Sequence, residues 1–515
     1  MVWQPEIDEL KHRQQLAHQM GGKEGIERQH SHGKLTVRER IAALADTGSF
    51  QEIGEIAGTA RYEDDKLVAF TPGNYVQGVC KINGRNVVIN GGDFTVRGGA
   101  ADATVRKGNA DALALDWRIP YVRLLDATGG SVRTFEQIGR TYIPDNPGTI
   151  ISTQLLGVAP VVSAAMGSVA GLPAVNACMA HFNLMVKDTS QVFAGGPPVV
   201  KAALGYDVTK EDLGDYRIQA YQGGVVDNVA ENEEEAFNMI KRFLSYMPDN
   251  VWEVPPRVEP TDDPNRREEE LLSIIPRERR RPYNPYTILK HVLDRDSFFE
   301  ISPHYGQSRI VGLARVNGYA VGAMINNPNH LGGSMDVAAG QKVIRFLQLC
   351  DTFHLPLVYF ADEPGFMVGL EAQKQGIVRA GAKMVCATCS TRMPWITFVI
   401  RQLFGVAGGC HIRLSGMYKR YAWPSAYWGS MHIEGGASAA YRREIEAAPD
   451  PEAKRDEIER RLQAIASPFR TAEAGNIESI FDPRDTRPLL CDFIEAAQGV
   501  LKSQLGPTAG PSFWP

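Results

Sequence analysis

The chain has 515 residues, 43% of them hydrophobic and 22% charged, with a formal net charge of −5 at pH 7. This is the composition of an ordinary globular protein, long enough for about two to four domains with cores of their own. The acidic balance argues against a nucleic-acid partner, so any anionic ligand must be met locally.

The opening stretch, MVWQPEIDELKHRQQLAHQMGGKEG, is polar and charged. It lacks the apolar core of a secretory signal and predicts an amphipathic lead-in helix. No run approaches about 18 uninterrupted apolar residues, so no membrane span is expected and the expected location is cytoplasmic. Seven cysteines, scattered and odd in number, fit a compartment in which thiols stay reduced. Cys386 and Cys389 form a CxxC, but no second ligand pair stands at a zinc spacing. No metal is expected, and the two cysteines are read as a core pair on one helix face.

Four landmarks recur in the same order in the two halves, the mark of an internal repeat. LADTGSFQEI ends at Ile53 and VLDRDSFFEI at Ile301, 248 residues on. CKINGRNVVIN, turning at Asn83-Gly84, matches ARVNGYAVGAMIN, turning at Asn317-Gly318, and each predicts a hairpin. The offset there is 234, because the first half carries the longer insert TARYEDDKLVAFTPG. Next, RIPYVRLLDATGG (118–130) matches HLPLVYFADEPGF (354–366): a strand after Pro120 or Pro356, an acid at Asp126 or Asp362, then a glycine turn. A helix-length segment precedes each of these strands. Last, Pro160 opens a β-branched strand that reaches Gly171, and Pro394 opens one that reaches Gly405. Strands alternating with helical segments predict an α/β fold made twice, with ligands collecting at strand ends and helix N-termini.

Between the halves, a proline- and charge-rich stretch without apolar period reads as a connector. The expected division is residues 1–255 and 256–515, the second beginning with a linker to about residue 285. The RERRR run at 277–281 reads as solvated linker or as a basic docking patch.

Two glycine-rich turns follow buried-looking strands: GSVAGLPAV at 167–175 and GVAGG at 405–409. Glycine lets a ligand approach the main chain, and a helix starting there adds free N–H groups, which together stabilise an oxyanion. Pro173 has no N–H, so Gly171 and Leu172 are the candidate donors in the first loop, and Val406 and Ala407 in the second. Neither loop matches GxxxxGK[ST], so no ATP site is encoded, and no GxSxG elbow is present. His181, His354, His411 and His432 stand near the motifs and are read as structural; Asp126 and Asp362 are read as holding the turns rather than as catalytic acids.

With these residues in view, the chain resembles the carboxyltransferase (β) subunits of propionyl-CoA and related biotin-dependent acyl-CoA carboxylases. The resemblance rests on KLTVRERIAALADTGSFQEI, MVKDTSQVFAGGPPVVK, DVTKEDLG, ADEPGFMVG, GIVRAGAKMV and YAWPSA, in that order along nearly the whole length. It implies two tandem crotonase-like domains, an N-terminal one on the acyl-CoA side and a C-terminal one on the biotin side. It implies a homo-oligomer, a hexamer, in which the N-terminal domain of one protomer faces the C-terminal domain of another. The implied activity is transfer of a carboxyl group from carboxybiotin to the α-carbon of an acyl-CoA. Gly171 and Leu172 would hold the thioester oxygen, and Val406 and Ala407 the ureido oxygen of biotin. Gly167, Ala170, Gly365, Phe366, Gly408 and Gly409 would line the substrates. In the family's mechanism biotin itself takes the α-proton, so no catalytic side chain is needed. The biotin-bearing carrier and the ATP-dependent biotin carboxylase must be partner polypeptides, since neither a Met-Lys-Met acceptor nor an ATP site is present.

Typical members of that family end the first loop in Gly-Gly-Ala and carry Gly-Gly-Ala-Tyr-Asp in the second. Here the residues are Gly171, Leu172, Pro173, and Gly405 to Gly409. That aspartate helps set acyl specificity in propionyl-type enzymes, so Gly409 implies an acyl group other than acetyl or propionyl: longer, branched or hydroxylated. Two alternatives stay open: the carboxyltransferase subunit of a biotin-dependent acyl-CoA decarboxylase, and a non-catalytic acyl-CoA-binding scaffold.

Overall fold

The computed structural model describes residues 2–105, 107–145, 147–410 and 416–508. In the first half the strands are β1 (Gln51–Glu52), β2 (Gly58–Glu63), β3 (Lys66–Pro72), β4 (Tyr75–Ile82), β5 (Arg85–Gly92), β6 (Tyr121–Ala127), β7 (Val161–Ala170), β8 (Phe182–Val186), β9 (Gln191–Phe193) and β10 (Asn228–Ala230). In the second they are β11 (Phe299–Ile301), β12 (Arg309–Val316), β13 (Tyr319–Asn326), β14 (Leu357–Glu363), β15 (Trp395–Phe404), β16 (Tyr418–Ala422), β17 (Tyr427–Gly429) and β18 (Ser479–Ile480). The two sheets have one topology. The first runs β1-β4-β5-β6-β7-β8-β10 with β9 on the end of β7; the second runs β11-β12-β13-β14-β15-β16-β18 with β17 on the end of β15. The chain divides into two compact units between Trp252 and Glu253.

Both Asn-Gly turns form the expected hairpins, with Asn83 at φ 52° and Asn317 at φ 49°. Each is clasped by an acid from the preceding turn: Asp46 accepts from Asn83 and Gly84 N–H, and Asp294 from Asn317 and Gly318 N–H. The prolines act alike in both copies. Proline keeps only its acceptor, and the carbonyls of Pro120, Pro160, Pro356 and Pro394 each take a 2.9 Å bond from the neighbouring strand, starting the parallel ladders. The first-half insert forms the two-stranded ribbon β2–β3.

Both halves break register at the same place. Leu125 pairs with Ala165 and then Ala127 with Val169; Ala361 pairs with Val399 and then Glu363 with Leu403. Two residues on β6 or β14 thus face four on β7 or β15, a bulge that frees backbone groups and re-aims the strand end. Asp126 and Asp362 sit inside these breaks, both fully buried. Asp126 accepts from Lys34 and Arg40 at 3.0 Å and from Gln29 at 2.9 Å; Arg40 also pairs with Glu233 at 2.7 Å and donates to the freed Met166 carbonyl. Asp362 accepts from Arg401 at 3.2 Å, from Tyr283 Oη at 3.0 Å and from the freed Gln402 N–H. The carboxylates therefore hold the turns, as read from the sequence.

The bulge also explains Gly167. A Cβ there would stand 2.1 Å from Asp126 Oδ1, so the residue is a notch for the carboxylate inside β7. In the second copy the matching strand position is Arg401, which supplies the neutralising cation itself.

Two expectations need correction. The N-terminal helix Gln4–His18 forms, but only Ala17 is buried, so it has no apolar face. Polar contacts hold it instead: Arg13 to Tyr62, and Gln14 and His18 to Glu55. Cys386 and Cys389 lie on the helix Ile377–Ser390, whose buried stripe is Ile377, Gly381, Met384 and Thr388; both cysteines are off that stripe and exposed. The RERRR run is exposed, as expected of a solvated linker, while residues on either side of it pack on the second unit. Leu271 and Tyr283 are buried in the second unit's core, and Arg487 bonds the Asp263 carbonyl and the Asp294 carboxylate. Within the RERRR run, Arg279 lies over the Tyr427 ring at 4.4 Å and the Arg281 carbonyl accepts from Arg401.

The packing at Gly167 makes a direct prediction. Gly167→Ala must displace a buried, paired carboxylate and should cost about 3 kcal/mol, lowering the thermal melting point, whereas Gly409→Ala, with nothing within 4 Å of its Cβ position, should leave it unchanged. Equal melting curves for the two variants would contradict this account of the bulge.

Candidate active site

The first glycine loop is where β7 ends. Gly171 has φ 66° and ψ −132°, backbone angles closed to residues with a side chain, and the helix Leu172–Cys178 begins directly after it. A first-turn N–H has no partner within its own helix. The expected donors prove unequal. Gly171 N–H is engaged by the Phe193 carbonyl of β9 at 3.3 Å, while Leu172 N–H has no acceptor among the described residues. Pro173 in the first turn removes a competing donor without touching that of Leu172. Gly129, which sequence reasoning saw only as part of a turn, packs on this loop: a Cβ on it would stand 3.0 Å from the Ala170 carbonyl, and one on Gly171 would stand 3.4 Å from Gly129 Cα.

The second loop repeats this geometry. Gly405 has φ 63° at the end of β15 and opens the short helical turn Gly405–Gly409. Neither Val406 nor Ala407 N–H has an acceptor among the described residues, although Ala407 is fully buried and Val406 exposed. His432 braces the loop from below. Its ring stacks on Phe404 with centroids 4.0 Å apart, and Nε2–H donates to the Pro364 carbonyl at 2.9 Å. The Pro364–Phe366 turn is held in its own right: Gly365 N–H donates to Glu363, which is paired with the buried Arg309.

Of the residues expected to line substrate, Ala170 stands at the first loop, and Gly408 and Gly409 at the second. Gly365 and Phe366 come to the second loop through His432, but the Phe366 ring packs over Gly381, where a Cβ would be 2.8 Å away. Gly167 is turned onto Asp126 and lies in the strand, not at the loop. Gly405, Gly408 and Gly409 form one wall of a cavity of about 280 Å³ whose other sides include Leu403, Trp428 and Ile477. Trp428 and Ile477 carry no motif that could have marked them. Their place follows only from β17 and the segment before β18 folding over β15.

The nearby histidines are structural. His181 accepts from Val161 N–H through Nδ1 and bonds the Leu156 carbonyl through Nε2, both at 2.9 Å. His354 is buried at φ 57°. His411 lies outside the described residues. One possible ligand group was missed: His18, Glu52 and Glu55 converge within 4.8 Å, but Gln14 and Arg38 already engage the two carboxylates. What the two loops offer is therefore backbone: paired sites of unclaimed N–H groups at strand ends, suited to developing negative charge on a ligand oxygen.

Comparison with known proteins shows the family. The carboxyl transferase domain family matches residues 28–503, and the chain belongs to it. Its two sheets are tandem crotonase-like α/β domains, and the chain is a carboxyltransferase enzyme. It is 34% identical to the carboxyltransferase subunit of propionyl-CoA carboxylase from Haloferax mediterranei, over 98% of each chain. It is 32% identical to the methylmalonyl-CoA decarboxylase subunit alpha of Veillonella parvula, over 91% of each. A crystal structure of transcarboxylase 12S, a hexamer with methylmalonyl-coenzyme A bound, aligns with TM-score 0.85 and 30% identity over 96% of this chain and 95% of that one.

The thiol beside the second loop makes a chemical prediction. Burial pushes the Cys410 thiol up to about 12, so it stays protonated and unreactive at pH 8, whereas Cys386 and Cys389 are exposed. Iodoacetamide at pH 8 followed by mass spectrometry should label Cys386 and Cys389 first; early modification of Cys410 would show its loop to be open.

Proposed function

We propose that the two loops serve the two halves of one transfer: Leu172 N–H holds the thioester oxygen of an acyl-CoA, and Val406 and Ala407 N–H hold the ureido oxygen of biotin. The observation that carries this reading is the set of unclaimed donors at equivalent strand ends. The fit for biotin rests on a neutral ureido oxygen, which is met by N–H donors such as those of Val406 and Ala407. When bound, biotin supplies the carboxyl group. The chain's part is to polarise the thioester so that the α-carbon can carry negative charge, each aimed donor contributing roughly 3 kcal/mol.

Carboxylation is the favoured direction, with decarboxylation as the alternative, since relatives of both kinds match over nearly the whole chain. The scaffold alternative arose from Leu172 and Pro173, yet these leave a donor open. The room at Gly409, where nothing lies within 4 Å of a Cβ position, favours an acyl group other than acetyl or propionyl.

The working assembly we propose is a homo-hexamer served by a biotin carboxylase and a biotin carboxyl carrier, in the cytoplasm, where the seven free cysteines stay reduced. Exposed apolar side chains occupy equivalent segments after β6 and β14: Val132, Ile143 and Ile150 in one copy, Val368, Leu370 and Val378 in the other. Patches of this kind mark protein interfaces. Replacing Val368 and Leu370 together by lysine should convert the assembly to smaller species by light scattering; an unchanged mass would remove this surface from the interface.

The test of the loops is a pair of prolines. Leu172→Pro and Ala407→Pro each delete one N–H in a first helical turn, where proline is tolerated. Each should lower carboxyl transfer by about 10²- to 10³-fold with an unchanged melting point, while Leu172→Ala stays active. The assay follows bicarbonate incorporation into an acyl-CoA panel with biotinylated carrier and biotin carboxylase. Normal turnover by the proline variants would refute the donor assignments, and no incorporation with any acyl-CoA would refute carboxylation.

A further inference from the structure

The N-terminal unit contains a larger cavity, of about 560 Å³, that the two glycine loops do not explain. Its wall collects cations from three separate stretches: Arg28 and Lys34 near the N-terminus, Arg97 after β5, and Lys210 at the start of a helix. Asp188 and Glu211 are the carboxylates on that wall, so four permanent cations face two acids in a chain of net charge −5. Lys34 and Arg97 are committed to Asp126 and Asp102. Arg28 and Lys210 are not. The Arg28 guanidinium has no acceptor among the described residues, and Lys210 Nζ reaches only Ser168 Oγ at 3.2 Å.

The floor is built rather than accidental. Ser168 and Gln191 are 8% and 5% exposed, and Ser168 Oγ donates to Gln191 Oε1 at 2.8 Å, which leaves the Gln191 amide nitrogen without an acceptor among the described residues. His32 donates through Nδ1 to the Arg28 carbonyl at 2.7 Å, which holds its ring against the wall of the cavity with Nε2 as an acceptor. Two uncommitted cations and an amide donor around a roomy space are a donor set for oxygens carrying more than one negative charge.

We propose that this cavity binds a phosphate-bearing ligand, its phosphate oxygens held by Arg28 and Lys210 over the Ser168–Gln191 floor. Two sources have that chemistry: the phosphorylated end of the acyl-CoA itself, and a free nucleotide or pyrophosphate acting from outside the reaction. The first rests on the function proposed above. Ser168 stands three residues before Gly171, about 10 Å along an extended strand, so a ligand anchored here by its phosphates can run toward Leu172.

The experiment is calorimetric titration of the full-length protein with adenosine 3′,5′-bisphosphate and with inorganic pyrophosphate. The wild type should bind at least one probe, more weakly as salt rises. Arg28→Ala with Lys210→Ala should weaken it by roughly tenfold or more for each cation removed; should that pair lower the melting point, the single Arg28→Gln change carries the test. Competition by acyl-CoA assigns the site to the substrate, and undiminished probe binding under saturating acyl-CoA assigns it to a separate nucleotide. Wild-type protein that binds neither probe, or a double variant that binds as well as wild type, overturns the proposal. The carboxyl-transfer assay is read separately: transfer without probe binding overturns this inference alone, and probe binding without transfer overturns the loop reading alone.

Discussion

A buried carboxylate inside a strand bulge is the constraint on which each half depends. Asp126 and Asp362 are wholly removed from water, and a charge in that position persists only if it is paired and hydrogen-bonded. Each gathers the groups that the bulge would otherwise leave unsatisfied: Arg40 spans the Asp126 carboxylate and the Met166 carbonyl, and Asp362 takes the Gln402 N–H directly. The extra residues in β7 and β15 then carry the strand end past its neighbour and deliver a positive-φ glycine at the same point, Gly171 or Gly405.

The two copies solve the neutralisation problem differently, and this difference separates inherited constraint from local adjustment. In the first, the cations arrive from outside the sheet on Lys34 and Arg40, and Gly167 makes room for the carboxylate. In the second, the strand carries its own cation in Arg401, and Tyr283 from the connector completes the shell. The bulge, the short flanking strand and the glycine are common to both; the source of charge is not. Loop chemistry has diverged likewise. Pro173 and the Gly171–Phe193 bond leave Leu172 as the first loop's open donor, while the second leaves two.

Much of this was legible in the sequence because it rests on local signals. Asn-Gly turns, strand-opening prolines and glycines at fixed distances from them survive in both copies, so the duplicated α/β architecture and both loops could be placed in advance. What the sequence hid depends on long-range pairing. Gly167 looks like a loop glycine until its strand is set against Asp126. Trp428 and Ile477 join the second loop only through strand order. The lead-in helix and the Cys386–Cys389 pair were misread because helical spacing alone does not say which face is buried. The cation-rich cavity was invisible because its charges come from stretches almost 200 residues apart, Arg28 to Lys210.

The central claim is that the bulge aims a backbone N–H, not a side chain, at the acyl oxygen. The most direct measurement is the isotope-edited infrared spectrum of a thioester-¹³C acyl-CoA bound to the protein. The account predicts that the bound carbonyl stretch falls below its value in water in the wild type and in Leu172→Ala, and returns toward the water value in Leu172→Pro. A carbonyl frequency that is the same in Leu172→Pro as in the wild type, with acyl-CoA bound in both, would contradict it.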